Sequence, residues 1–99
     1  MAARAVFTCE AESDISDAFD WYESKRAGLG EDFLLHIGAC VNAVCSAPTR
    51  FPPEKKDYRR ARVRKFPYLV VYKFKDEIVT IVAVRHAARD PVLFGKRYK

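Results

Sequence analysis

Glycine and cysteine are scarce in this 99-residue chain, with four of one and three of the other. The glycines form no phosphate-cradling loop. Cys9, Cys40 and Cys45 contain no C-x-x-C pair, cannot all pair with one another, and make no zinc-type cluster with the two histidines. Cys40 and Cys45 sit five apart on an expected helix, a spacing unsuited to a metal, and read as small core residues. No apolar run approaches the ~20 residues that a membrane helix needs. The opening MAARAVFTCE lacks the apolar stretch of a secretory leader. These absences leave no motif for a cofactor, a metal or a small-molecule substrate. They set the expectation of a reduced, cytoplasmic protein with no membrane contact.

What is present suits a small globule. The length predicts one domain over 1–99, and a chain of this size buries only roughly 60–65% of its unfolded surface, which argues against a deep catalytic pocket. Hydrophobic residues make up 49% and aromatics 13%, which is against disorder. Net charge is +5, unevenly distributed. Residues 1–50 carry four Lys/Arg against eight Asp/Glu, whereas residues 51–99 carry fourteen against five. One face is therefore expected to be strongly basic and to attract an acidic protein or a nucleic acid.

Patterning predicts an α+β fold in the order β-α-α-β-β-β. Residues 3–9 read as a short strand. Ser13 or Asp14 is the expected cap of a helix with Ile15, Ala18, Phe19 and Tyr22 on its apolar stripe. Asp14, Asp17, Asp20 and Glu23 form its acidic face, and Gly28 is the expected stop. Trp21 lies off the stripe; exposed, it would mark a partner surface. A second helix starts near Gly30 and Glu31, buries Phe33, Ile37, Cys40, Val41 and Val44, and ends at Pro48. The short GLG link makes the two an antiparallel hairpin. Residues 58–66, 68–74 and 78–84 then read as an antiparallel meander. The first strand of that meander puts Ala61 and Val63 on one face and Arg60, Arg62 and Arg64 on the other. The hairpin covers one face of the small sheet; the arginine row lies on the opposite one.

Several stretches together resemble the RelE/ParE superfamily of toxins, closest to its ParE-like, plasmid-stabilisation branch. They are DISDAFDWYE (14–23), GLGEDFLLHI (28–37), FPP (51–53), RRARVRKFPYLVVY (59–72) and IVAVRHAARDP (81–91), with a terminal Arg97. The resemblance implies a type II toxin–antitoxin role: growth arrest by the toxin, relieved by a cognate antitoxin whose acidic tail meets basic toxin surface. The ParE-like branch implies inhibition of DNA gyrase without catalysis. The RelE-like branch implies the alternative, cleavage of mRNA on the ribosome.

RNA cleavage by 2′-OH attack needs an acid/base pair and cations for the charged phosphorane. Under that alternative His86, Arg60, Arg62 and Arg85 are the candidate catalytic set, with Tyr98 a second acid/base candidate. Against it stand Phe66-Pro67, where the nucleases place an Arg, and Ala87-Ala88, where they place His or Tyr. The leading expectation is a non-enzymatic inhibitor that binds its target through Arg60, Arg62, Arg64, Arg85, Arg89 and Arg97, with Lys96 and Lys99 in the same basic tail. His86 then reads as a structural residue bonded to Asp90 or a backbone carbonyl, and His36 as a surface residue. An antitoxin is expected near Phe19, Leu34, Tyr68 and Tyr72, or along an exposed edge strand. A general nucleic-acid-binding module is the third reading.

Overall fold

The computed structural model describes residues 2–89. Strand β1 (Arg4–Phe7) leads into helix α1 (Cys9–Lys25), which begins earlier than its sequence pattern suggests. Its cap is Thr8, in extended geometry, whose Oγ1 accepts the Ala11 N–H at 3.1 Å. The expected caps, Ser13 and Asp14, lie inside the helix. β-Rich residues run straight into the cap, so strand and helix signals overlap there. Ala11, Ala18 and Tyr22 are the buried positions of α1.

Two members of the expected acidic face have structural work. The Asp14 carboxylate accepts the N–H of Val84 at 3.0 Å. The Glu23 carboxylate accepts the N–H groups of Gly28 and Gly30, each at 2.9 Å. Glu23 thereby caps the next helix, α2 (Leu29–Ser46), where negative charge also complements the helix dipole. Helix α1 ends at Lys25, and Gly28, at φ 88°, is the N-cap of α2 rather than the stop of α1. Gly30 is buried where the helices cross; a Cβ there would lie 2.8 Å from the Phe19 ring. From α2, Phe33, Ile37, Val41, Val44 and Cys45 enter the core, one helical face at the spacing of 3.6 residues.

The chain then adds a short strand that patterning missed, β2 (Pro53–Lys55), followed by β3 (Tyr58–Arg62), β4 (Tyr68–Lys75) and β5 (Ile78–His86). Residues 63–66 leave β3 as a loop, although alternation extended the strand to 66. Lys65 takes φ 74° in this loop, and Phe66 turns inward between Tyr22, Phe33 and His36. The five strands lie in the order β1-β5-β4-β3-β2. The meander is antiparallel, and β1 joins it parallel to β5.

One irregularity decides what each face displays. Val71 pairs with Ala83 but Tyr72 pairs with Ile81, so Val82 is the extra residue of a β-bulge. Side chains alternate at every residue along a strand. Val79 and Ile81 point to the helices, and without the bulge Ala83 and Arg85 would follow them. With it, Val84 joins the helix-side core while Ala83 packs with Tyr58 and Val71 on the far face. Thr8 and Asp14 hold this stretch of β5 beyond the end of β1: the Thr8 N–H donates to Ile81 at 3.0 Å, and Asp14 takes the Val84 N–H.

Lys65 donates to the Asp32 carboxylate at 2.7 Å and ties the 63–66 loop to α2. This hydrogen bond holds the Asp32 carboxyl below the usual carboxylate range, with the charges of Lys65, His36 and Arg26 adding to it. A depressed carboxylate stabilises the fold above its unfolded-state pKa, near 3.9, and loses that effect as pH falls through its lower folded value. Thermal melts of Asp32→Asn should therefore lie below wild type at neutral pH and converge with it in acid. A gap that persists in strong acid would assign the effect to something other than this charge.

Candidate functional site

The far face of the sheet gathers guanidinium groups. Alternation along β3 puts Ala61 in the core, with Arg60 and Arg62 on the far face, opposite Val71 and Leu69. The bulge brings Arg85 to that face, opposite Leu69 on the other side of β4. Between them sits Glu54 of β2. Arg85 donates from Nε and Nη2 to the two Glu54 oxygens, both at 3.0 Å, in a forked geometry. Both side chains are 9% exposed. Arg60 approaches Glu54 to 3.8 Å and donates to the Pro53 carbonyl. In sheet order β2 and β5 are three steps of about 4.8 Å apart. Their contact therefore spans the two strands between them, with both side chains reaching along the far face. Arg85 is a buried fixture of that face, whereas Arg62 is an exposed member of it. Arg64 is exposed just beyond the end of β3.

His86 lies on the other side. It pairs with Tyr68, whose ring is 5.3 Å from the imidazole and faces the helices. Its Nδ1 accepts the N–H groups of Ala88 and Arg89, both at 3.1 Å. The expected structural role thus takes a different form: the ring is an acceptor for two amides rather than a donor to a carbonyl, which puts its own hydrogen on Nε2. The four residues of the catalytic alternative are accordingly not brought together. Arg60, Arg62 and Arg85 share the far face, and His86 is on the helix side. Arg89 is exposed and donates to the Tyr68 hydroxyl at 3.1 Å. Arg97, Lys96, Tyr98, Lys99 and Asp90 lie outside the described residues.

Grooves flank helix α2 on both sides. Toward α1, a groove of about 770 Å³ is lined by Phe19, Leu34, Leu35, Gly38 and Ala39. Leu35 is 72% exposed and Leu34 40%. Toward β3, a groove of about 880 Å³ has an apolar floor that includes Ala39, Cys40 and Phe51. Arg50, Arg62, Arg64 and Lys65 line the same groove, with His36 beside them. The His36 Nδ1–H donates to the Asp32 carbonyl at 2.8 Å. Burial pushes the Cys40 thiol up to about 11. Phe19 and Leu34 thus meet in one surface groove. Tyr68 and Tyr72, expected beside them, do not: they are 6% and 0% exposed, because both lie on the helix-facing side of the central strand. The Tyr72 hydroxyl donates to the Pro48 carbonyl at 2.6 Å, and burial raises its pKa to about 12. Trp21 is half exposed, with Lys25 Nζ 4.9 Å from its ring centre. Sequence reading missed Glu54 and Leu35. A lone carboxylate ahead of an arginine-rich run was the available signal for the first.

Among the described residues, no group of three or more His, Cys, Asp and Glu could hold a metal ion, and no helix is long and apolar enough to cross a membrane. A family model described as the ParE toxin of a type II toxin–antitoxin system, parDE, matches residues 5–91. Toxin ParE2 of Mycobacterium tuberculosis, in strains CDC 1551 / Oshkosh and ATCC 25618 / H37Rv, is 33% identical over 81 residues. That match covers 81% of this chain and 77% of the relative. A solved structure titled as a chromosomal ParDE TA system from P. aeruginosa superposes with a TM-score of 0.76. It is 15% identical, with 86% of this chain and 96% of that one covered, which is a likeness of fold.

Removing one partner of a buried ion pair strands the other, at a cost of about 3–5 kcal/mol. Glu54→Ala and Arg85→Ala should each lower unfolding free energy by about that amount in urea titrations, and the double variant should lose much less than the sum. Additive losses would mean that the two groups do not act as a pair.

Proposed function

Because the chain belongs to the ParE toxin family of type II toxin–antitoxin systems, we propose that it arrests growth by binding DNA gyrase, without catalysis of its own, and that a cognate antitoxin holds it inactive. Its site of action under this reading is the cytoplasm. The observation that favours binding over RNA cleavage is the separation of His86 from the arginines. An acid/base must stand within hydrogen-bond reach of the atoms that the cations stabilise. Here the imidazole Nδ1 is taken by two amides, on the face away from Arg60, Arg62 and Arg85.

Arg60, Arg62, Arg64 and Arg89 are the proposed target-binding cations, with Arg85 positioning the face from beneath. Arg97 belongs to the same proposal on sequence grounds. The antitoxin is proposed to lay an amphipathic helix along α2. Its apolar residues would fill the Phe19–Leu34–Leu35 groove, and its carboxylates would reach Arg62 and Arg64 across Ala39, which lines both grooves. The buried Tyr68 and Tyr72 shape this surface from below.

Induced alone in bacteria, the chain should stop thymidine incorporation before amino-acid incorporation, and the purified chain should block supercoiling by gyrase. His86→Ala should keep this activity if it folds; Arg60→Gln with Arg62→Gln should lose most of it. Loss of toxicity in a folded His86→Ala variant, together with cleaved mRNA, would replace this reading with the nuclease. Leu34→Asp should weaken antitoxin binding by about tenfold or more, as at an interface centre, and leave the free toxin active. Unchanged antitoxin affinity would move the partner elsewhere.

A further inference from the structure

The basic surface continues past the arginines already described. Lys73 pairs with Tyr58 and Lys75 with Ile78, so both lysines stand on the far face. With Lys56 and Arg59 they line a third groove, of about 570 Å³, at the opposite end of β3 from Arg62 and Arg64. Among its described lining residues the one carboxylate is Asp57. None of Lys56, Lys73 and Lys75 makes an ion pair with another described residue; Lys73 Nζ lies 5.7 Å from the centre of the Tyr58 ring. Lys56 is held at φ 54° in the tight turn between β2 and β3, which fixes where its side chain leaves the surface.

The two basic ends are joined by β3 itself, five residues long and so about 17 Å. The carboxylate nearest the middle of this band, Glu54, is consumed by Arg85 in the buried pair. The result is a strip of cations that runs the length of β3. Its charge density selects the ligand class. A fully extended acidic peptide offers at most one carboxylate per ~3.3 Å. Duplex DNA offers one phosphate charge per ~1.7 Å of axis, from two strands that can meet both ends of the strip at once. The exposed leucines that would anchor a peptide helix, Leu34 and Leu35, lie on α2 and not in this third groove, whose apolar members are Pro53, Tyr58 and Phe74.

We propose that this band, from Lys56, Lys73 and Lys75 through Arg60 to Arg62, binds the phosphate backbone of duplex DNA. Resting on the gyrase reading, this makes the target the enzyme together with the DNA it holds, rather than the free enzyme. The contacts are electrostatic and independent of base sequence.

The test is fluorescence anisotropy of a labelled short duplex with the purified chain across a salt series. With five phosphate contacts, one for each cation of the band, affinity should fall roughly five-hundredfold between 50 and 200 mM salt. Replacing Lys56, Lys73 and Lys75 together by Gln should reduce the slope of log affinity against log salt by about three. Replacing the three by Arg, with charge kept, should retain the wild-type slope, and near-wild-type melting of both variants separates charge from folding. Absence of salt-dependent binding, or an unchanged slope in the Gln variant, overturns the proposal. So does polyglutamate or single-stranded RNA competing as well as the duplex. Supercoiling assays separate the two readings. A chain that blocks gyrase but ignores free duplex keeps the target and loses this inference; a chain that holds duplex but leaves gyrase running does the reverse.

Discussion

The register of β5 against its neighbours is the constraint on which the rest of this molecule depends. A single extra residue at Val82 divides the strand into two halves of opposite phase. Before it, odd-numbered residues face the helices; after it, even-numbered ones do. The second half pairs with β4 on one side only, because β1 ends before it. Thr8 and Asp14, at the start of α1, supply the missing anchorage to Ile81 and Val84. The same few residues thus end a strand, cap a helix and fix the phase of the strand beside it. Arg85 arrives at the far face as a result, where it meets Glu54 and draws β2 over the sheet.

That arrangement divides the surface by chemistry. One side of α2 offers exposed leucines in a shallow apolar groove; the other offers an apolar floor with cations along it. At the other end of β3 the groove is lined by Lys56, Arg59, Lys73 and Lys75 around Pro53, Tyr58 and Phe74. The negative charge of the first half is partly internal wiring, since the half-buried Asp14 and Glu23 satisfy backbone N–H groups. This accounting explains why a chain with a modest overall charge presents so strongly basic a band. Part of its acid is spent on the scaffold, and one further carboxylate, Glu54, is buried against a guanidinium.

Periodicity made the architecture legible. The apolar stripes of both helices, the three long strands and the arginine row on β3 all follow from spacings of 3.6 and 2 residues. The errors fall where one residue answers to two elements. Thr8 reads as strand because the β-formers run up to it, yet it is a cap. Tyr68 and Tyr72, in an expected central strand, are also expected beside an antitoxin groove, yet they share the phase of Val70 and are buried with it. The bulge was invisible for a different reason. IVTIVAVRH is apolar on both phases through Val84, so nothing in its pattern marks where the phase changes. Glu54 was missed because its partner is distant in sequence and three strands away in the sheet.

Arg85 and His86 are adjacent in the chain and on opposite sides of the sheet, and the assignment of sides rests on a count of residues rather than on their identity. Smoothing out the bulge at Val82, with every residue kept, would leave the composition untouched, yet it would send the imidazole to the cationic face and the guanidinium toward the core. An imidazole among arginines is the kind of assembly from which acid/base chemistry is built. On this scaffold, a face of guanidinium groups alone and one that also holds an imidazole are therefore a single step of strand register apart. A slip of register can accomplish what substitution at either position alone could not.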